Sequence, residues 1–142
     1  ACAKLGMDFV AATPEGYEPS QEVVGWAKAA ANVSGSSVEL THDARAGAEG
    51  ADVLYTDVWT SMGQEEETAV RRDVFADYQI NDDVLRHAAK DALVMHCLPA
   101  HRGEEITDAV LEGRESIIFD QAENRLHLQK ALMAWLARES TK

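Results

Sequence analysis

The feature that most constrains the fold is a regular alternation of short apolar segments with stretches of helical periodicity. Five segments have the length and apolar character of buried strands, at residues 7–12, 38–40, 51–56, 92–95 and 116–119. Strands separated by helices of about this length imply right-handed crossovers and parallel pairing. We therefore predict an α/β fold with three αβα layers, Rossmann-like, in which about five strands form a doubly wound parallel sheet.

Capping residues mark the helices between these segments. Ser20 is suited to begin a helix that runs to about residue 32, and Asp120 is suited to cap the last helix, with Glu123 at the capping-box position. The last helix has an apolar stripe wider than one sheet face requires, formed by Ala122, Leu126, Leu132, Met133, Trp135 and Leu136. We therefore expect part of this stripe to be exposed.

Composition narrows the class of protein. The 142 residues suit one domain, and a net charge of −12 opposes binding to nucleic acid or anionic membranes. Cys2 and Cys97 suggest no disulfide framework, which favours a reducing, cytoplasmic location. No apolar run reaches the roughly 18 residues of a membrane-spanning helix. A G-x-G-x-x-G turn is absent, so a dinucleotide is not indicated.

Polar side chains follow three of the predicted strands, where the carboxyl ends of parallel strands meet at one edge. Residues 57–63 follow the third strand, the sequence His-Cys-Leu-Pro follows the fourth at 96–99, and residues 120–125 follow the fifth. We expect these loops to converge around a cleft suited to a zwitterionic amine. Asp57 can hold an ammonium group, Ser61 can bind a carboxylate, and Arg125 can bind an oxyanion.

The motifs in these loops resemble those of the ornithine carbamoyltransferase family. HCLP followed by AHRGEEI, DVWTSMG at 57–63, and FDQAENRLHLQKALM near the end occur in the order that the family shows. HCLP is shared, with variations, among transcarbamoylases that act on different amines, whereas D-x-x-x-S-M-G is typical of the ornithine enzymes. The resemblance covers most of the chain and identifies 1–142 as an ornithine-binding domain.

The resemblance implies how L-ornithine is bound. Asp57, Ser61 and Met62 match the motif that binds its amino-acid end. In the family reaction the side-chain amine of ornithine attacks the carbonyl carbon of carbamoyl phosphate, and L-citrulline and phosphate are formed. This step belongs to arginine biosynthesis or to a urea-cycle type of pathway. No metal or organic cofactor is implied.

The resemblance also implies a carbamoyl phosphate site. Cys97 and Leu98 match residues at the reacting centre, and Arg125 matches the arginine that binds the carbamoyl group or its phosphate. The Leu98–Pro99 bond is cis in the family, which would turn the Leu98 carbonyl toward the substrates. Cys97 is the candidate catalytic residue because its sulfur can position the attacking nitrogen; a covalent role is not implied.

Two parts of the family enzyme have no counterpart in this sequence. One is the domain whose Ser-Thr-Arg-Thr type loop grips the phosphate, and the other is the strand and helix expected before Ala1, which carry an asparagine that helps to bind ornithine. We therefore expect the chain alone to be inactive. The resemblance further implies a homotrimer whose sites lie between domains.

Three other interpretations remain open. His96, Cys97 and His101 could bind a metal ion, although His96 and Cys97 are adjacent and would point in different directions, and a fourth ligand is not evident. The chain could be a non-catalytic module that binds an amino acid. It could also belong to a transcarbamoylase for a related amine such as putrescine, although a diamine lacks the carboxylate that the loop containing Ser61 and Met62 would bind.

Overall fold

The computed structural model describes residues 1–60 and 67–140. Strands and helices alternate along the chain as the sequence predicts. Their bounds are α1 Cys2–Leu5, β1 Phe9–Ala12, α2 Gln21–Ser34, β2 Val38–Thr41, α3 Ala44–Ala48, β3 Val53–Thr56, α4 Thr68–Phe75, α5 Asp82–Leu85, β4 Leu93–His96, α6 Asp108–Leu111 and α7 Ile118–Glu139. In these two ranges no helix combines the length and apolar character needed to cross a membrane.

The strands pair in parallel, which confirms the α/β prediction. β1 pairs with β2, and β3 pairs with β4 in a register that sets Val53 against Leu93 and Thr56 against His96. Among the described residues the ladders join two pairs and not one continuous sheet. A cavity of about 420 Å³ lies where the pairs face each other, and its lining includes Val10 and Val53. The described strands therefore form two parallel pairs with no hydrogen-bonded ladder between β1 and β3.

The expectation of about five strands is wrong in its last member, since the described ranges contain four. Ser116 forms a single parallel bridge with Val94, and the backbone N–H of Ile117 donates to the Val94 carbonyl over 3.0 Å. The chain then turns directly into α7, so Ile118 is helical and fully buried. A short apolar run cannot by itself distinguish a strand from the buried first turn of a helix.

Local capping explains where several helices begin and end. The Ser20 hydroxyl accepts a hydrogen bond from the Val23 N–H at the start of α2, as predicted. Gly6 ends α1 with a φ of 77°, a left-handed conformation that glycine adopts without steric cost. The prediction for α7 is wrong, because Ile117 occupies the N-cap position without a side-chain cap and Asp120 lies in the first helical turn.

A hydrophobic core cluster lies around β3, β4 and the helices packed on them. It contains Ala48, Leu54, Ile80, Val84, Val94, Ile106, Val110, Leu111 and Ile118. α7 contributes only Ile118 to this cluster. The predicted apolar stripe farther along α7 is exposed, as expected, and Leu126, Met133 and Trp135 are each more than half exposed. The buried cluster therefore packs around the β3–β4 pair.

Candidate active site at the tips of two parallel strands

The register of β3 and β4 brings two predicted site residues together. Thr56 pairs with His96 at the ends of these strands, so the next residues, Asp57 and Cys97, leave the pair side by side. The Cys97 thiol donates a hydrogen bond to Asp57 Oδ1 over 2.9 Å. Asp57 Oδ1 also accepts from the backbone N–H of Val58 over 2.7 Å. A carboxylate and a thiol thus share the carboxyl end of the sheet.

The surroundings of Cys97 keep its sulfur protonated. Burial is the main cause that raises the pKa of the thiol, and the hydrogen bond to Asp57 and the negative charge of that carboxylate raise it further. A hydrogen bond from Tyr55 acts in the opposite direction but does not reverse the shift. The pKa of Tyr55 is itself raised, chiefly by burial and then by its interaction with Cys97. At neutral pH the structure therefore presents a thiol and not a thiolate.

An open cleft of about 490 Å³ extends from Cys97 to the first turns of α7. Its lining includes Tyr55, Cys97, Gln121 and Arg125. Gln121 Oε1 accepts a hydrogen bond from the backbone N–H of His96 over 3.0 Å, which ties α7 to the end of β4. The predicted guanidinium and thiol therefore line the same cleft, while Asp57 lines the neighbouring 420 Å³ cavity and reaches this one through its bond to Cys97.

Leu98 lies directly behind Cys97 with an unusual backbone. Its φ is 56°, in the left-handed region, and the Leu98–Pro99 peptide bond is cis, as the resemblance implied. The Leu98 side chain packs against the hydrophobic core. Its backbone N–H donates to Nδ1 of His96 over 2.8 Å. Packing on one side and a hydrogen bond on the other thus fix this residue, as a sparsely populated conformation requires.

Ser61 and Met62, predicted to bind ornithine, lie outside the described residues. The residues on either side of this gap are joined by Arg71. Its guanidinium donates to the Trp59 carbonyl over 3.2 Å and to Glu67 Oε2 over 2.9 Å. The same guanidinium lies 5.3 Å from the centre of the Tyr17 ring. One cation therefore holds both ends of the segment that contains Ser61 and Met62.

Among the residues that the structure describes, one group of side chains has ligand atoms close enough for a metal ion. His101, Glu104 and Glu105 each place one such atom within 4.8 Å of the others. Glu104 already forms an ion pair with Arg72, and Glu105 Oε1 accepts hydrogen bonds from His96 and from the His101 backbone. A cation would have to compete with the Arg72 guanidinium, so we assign no metal to this group. The set His96, Cys97 and His101 does not form: the buried His96 ring faces Glu105.

Several residues that line the cleft were not predicted to belong to the site, and two of them make contacts that shape it. Tyr55 points toward Cys97, and Gln121 binds the end of β4. Tyr55 could have been found from the alternation of strand side chains, because it lies two positions before Asp57 and faces the same side of the sheet. Gln121 has no such signal, since its role depends on where α7 begins.

Comparison with known proteins agrees with the geometry. Residues 1–136 match the family model described as aspartate/ornithine carbamoyltransferase, Asp/Orn binding domain. The chain is 56% identical over 134 residues to the anabolic ornithine carbamoyltransferase of Pyrococcus furiosus, covering 94% of this chain and 42% of that protein. It is 58% identical over 136 residues to the ornithine carbamoyltransferase of Acidothermus cellulolyticus, covering 96% and 44%.

Solved structures give the same result. The ornithine carbamoyltransferase from Pyrococcus furiosus superposes with a TM-score of 0.88, covering 93% of this chain and 42% of that one. The anabolic enzyme from Campylobacter jejuni, 35% identical, gives a TM-score of 0.91 and covers 97% and 46%. The chain spans less than half the length of the curated relatives it matches. It belongs to the aspartate/ornithine carbamoyltransferase family and corresponds to the Asp/Orn-binding domain.

Proposed function

We propose that this chain forms the ornithine-binding half of an ornithine carbamoyltransferase. The complete enzyme would transfer the carbamoyl group of carbamoyl phosphate to the side-chain amine of L-ornithine and yield L-citrulline and phosphate. The observation that carries the proposal is the contact between Cys97 and Asp57 at adjacent strand tips, beside a cleft that Arg125 also lines. Relatives 54–58% identical to the chain are named ornithine carbamoyltransferases, which supports ornithine as the amine.

The protonation state of Cys97 suggests its part in the reaction. An alkylammonium with a pKa of about 10.4 must lose a proton before its nitrogen can attack a carbonyl carbon. A protonated thiol has no negative charge with which to hold the ammonium form. The sulfur can accept a hydrogen bond from the neutral amine while it keeps its own hydrogen and donates it to Asp57 Oδ1. We therefore assign Cys97 a positioning contact with the nucleophile and no covalent bond.

The remaining residues receive complementary roles. The Leu98 carbonyl would accept a hydrogen bond from the carbamoyl NH2 group, and the Arg125 guanidinium would bind an oxygen of the carbamoyl group or of its phosphate. The nitrogen–carbon bond forms as the carbon–oxygen bond to phosphate breaks, and the excess proton on the nitrogen passes to the departing phosphate, which has gained the electron pair of the broken bond. Asp57, with Ser61 and Met62, would bind the amino-acid end of ornithine.

A chimera provides the test. These 142 residues would replace the corresponding domain of the Pyrococcus furiosus anabolic enzyme, and citrulline formation would be measured with ornithine and with putrescine as the rival amine. We expect turnover with ornithine, little with putrescine, and none from the isolated chain. A folded chimera that forms no citrulline would refute the proposal.

A pair of matched variants tests the strand-tip site in that chimera. Asp57→Asn should lower kcat/KM for ornithine by roughly 10–100-fold, as expected for a lost hydrogen bond to a charged group worth ~1.5–3 kcal/mol. Asp52→Asn is the control, because Asp52 immediately precedes β3 and so lies at the end of the strand away from the site, whereas Asp57 immediately follows the strand. Equal losses in both variants would contradict the assignment of Asp57.

The non-catalytic alternative predicts a different binding pattern. A module that senses an amino acid should bind ornithine tightly as the isolated chain, and carbamoyl phosphate should not matter. Half of an enzyme site should bind ornithine weakly alone. Calorimetric titration of the isolated chain with ornithine, with and without carbamoyl phosphate, separates the two.

We also propose that the complete protein is a cytoplasmic homotrimer that needs no metal or organic cofactor and acts in arginine biosynthesis. Cys2 and Cys97 are both free thiols, which suits a reducing compartment. The name of the Pyrococcus furiosus relative supports an anabolic role. Light scattering of the complete polypeptide should give three times the monomer mass, activity should survive chelation, and cell fractionation should recover the protein with cytoplasmic markers.

A further inference from the structure

His96 is a buried titratable residue that the proposed reaction does not use. It ends β4, immediately before Cys97 and Leu98, and only 1% of its surface is exposed. Glu105, 0% exposed, lies against it. A histidine and a glutamate are seldom buried completely unless their polar atoms are paired. The hydrogen bonds of this pair therefore indicate what it does.

Both ring nitrogens of His96 are occupied by protein partners. The Leu98 backbone N–H can only donate, so the His96 Nδ1 atom 2.8 Å away must accept. The hydrogen of the neutral ring is then on Nε2, which donates to Glu105 Oε1 over 2.9 Å. The same Oε1 accepts from the His101 backbone N–H over 2.6 Å. This arrangement fixes one tautomer of His96 and leaves no ring nitrogen for a substrate.

The partner that His96 holds is the residue with the unusual backbone. Leu98 has a φ of 56°, and its N–H would lose its acceptor without the His96 ring. The Leu98 N–H lies in the peptide plane shared with Cys97, whereas the Leu98 carbonyl lies in the following plane. The hydrogen bond to His96 holds the first plane, and the φ and ψ angles of Leu98, whose side chain is packed against the core, then determine where the carbonyl points. On the proposed function, on which this inference rests, that carbonyl binds the carbamoyl group.

We propose that His96 is a positioning residue for carbamoyl transfer: its Nδ1 atom holds the Leu98 backbone in the orientation that presents the Leu98 carbonyl to carbamoyl phosphate. Glu105 acts indirectly, through His96, because it fixes the tautomer and the orientation of the imidazole ring. His96 itself touches no reacting atom. A small displacement of an orienting group can cost about 100-fold in rate.

Two substitutions distinguish the role of Nδ1, which accepts from the Leu98 N–H, from that of Nε2, which contacts Glu105. His96→Asn places an amide oxygen near the position of Nδ1, so it keeps an acceptor for Leu98 and loses the bond to Glu105. His96→Gln places its amide near the position of Nε2, so it keeps the bond to Glu105 and loses the acceptor. Both variants remove the ring, so each is a control for the other's packing loss.

The variants are compared in the complete polypeptide that carries these residues, at a temperature where both are folded. We expect His96→Gln to lower kcat/KM for carbamoyl phosphate by roughly 10–100-fold and His96→Asn by no more than about threefold, with KM for ornithine similar in both. Equal losses, or losses that follow the melting temperatures, would overturn the proposal.

Amide hydrogen exchange at Leu98 gives a readout that does not depend on turnover. Exchange should be slow in the wild type and in His96→Asn and fast in His96→Gln. Wild-type protein that transfers no carbamoyl group would refute the proposed function, whereas equal exchange in the two variants would refute the hydrogen bond to His96. The two failures are therefore distinguishable.

Discussion

The buried contact between Glu105 and His96 allows one stability prediction to be worked in detail. Glu105→Ala leaves the His96 Nε2–H and the His101 N–H without their acceptor. An unsatisfied buried donor costs about 1–3 kcal/mol, and each lost methylene about 0.8 kcal/mol. The His101 bond is only partly buried, whereas the His96 bond is fully buried, so we assign the cost of an unsatisfied donor to His96 alone. We therefore expect a loss of about 2–4 kcal/mol in the free energy of unfolding.

The conservative variant should behave differently. Glu105→Gln keeps an oxygen that can accept both hydrogen bonds. Its NH2 group takes the place of Oε2, which already has no hydrogen-bond partner among the described residues, so one unpartnered buried polar group replaces another. We expect a loss of about 1 kcal/mol or less. Urea unfolding of the complete polypeptide, followed by circular dichroism, measures both changes.

A surface glutamate provides the control for this experiment. Glu112 is exposed and forms an ion pair with Arg102, so Glu112→Ala should cost only a small part of the Glu105→Ala loss. The reasoning would be refuted if Glu105→Gln were as destabilising as Glu105→Ala. It would also be refuted if Glu112→Ala matched Glu105→Ala.

Three further predictions follow from the described contacts. Ile118→Ala should lower the free energy of unfolding by about 2–5 kcal/mol, because this side chain is fully buried. Phe119→Ala, at the exposed neighbouring position, should change the free energy of unfolding by no more than about 0.5 kcal/mol. Urea unfolding of the two variants tests this difference. Ser20→Ala should cost about 1 kcal/mol through the lost cap of α2, measured in the same way, and an unchanged midpoint would contradict the capping assignment. Asp57→Asn should lower the pKa of Cys97 and speed its alkylation by iodoacetamide at pH 8, because the neighbouring negative charge is removed; an unchanged rate would contradict that cause.

Much of the fold is predictable because its signals are local. Ser20 and Gly6 carry their own capping chemistry, and the apolar segments at β3 and β4 are bounded by polar residues. The fifth strand could not be predicted correctly, because Ser116 to Phe119 is a short apolar run without periodicity. Its outcome depends on the packing of Ile118 in the core. Tertiary burial, which a local pattern does not contain, decides that case.

The site divides in the same way. Asp57 and Cys97 could be placed together because parallel strands bring their carboxyl ends to one edge. The buried pair of His96 and Glu105 could not, because the sequence does not show which group a histidine at the end of a strand contacts. The ring has to be seen between the Leu98 N–H and Glu105 before its role can be inferred.

The measurement that tests the central claim most directly is a crystal structure of the complete polypeptide with a stable analogue that joins ornithine to a carbamoyl phosphate mimic. We predict the nitrogen that corresponds to the ornithine side chain beside Cys97, the carbamoyl group within hydrogen-bonding distance of the Leu98 carbonyl, and Arg125 in contact with the carbamoyl or phosphate oxygens. An analogue bound away from the tips of β3 and β4, with Cys97 and Leu98 untouched, would contradict the account.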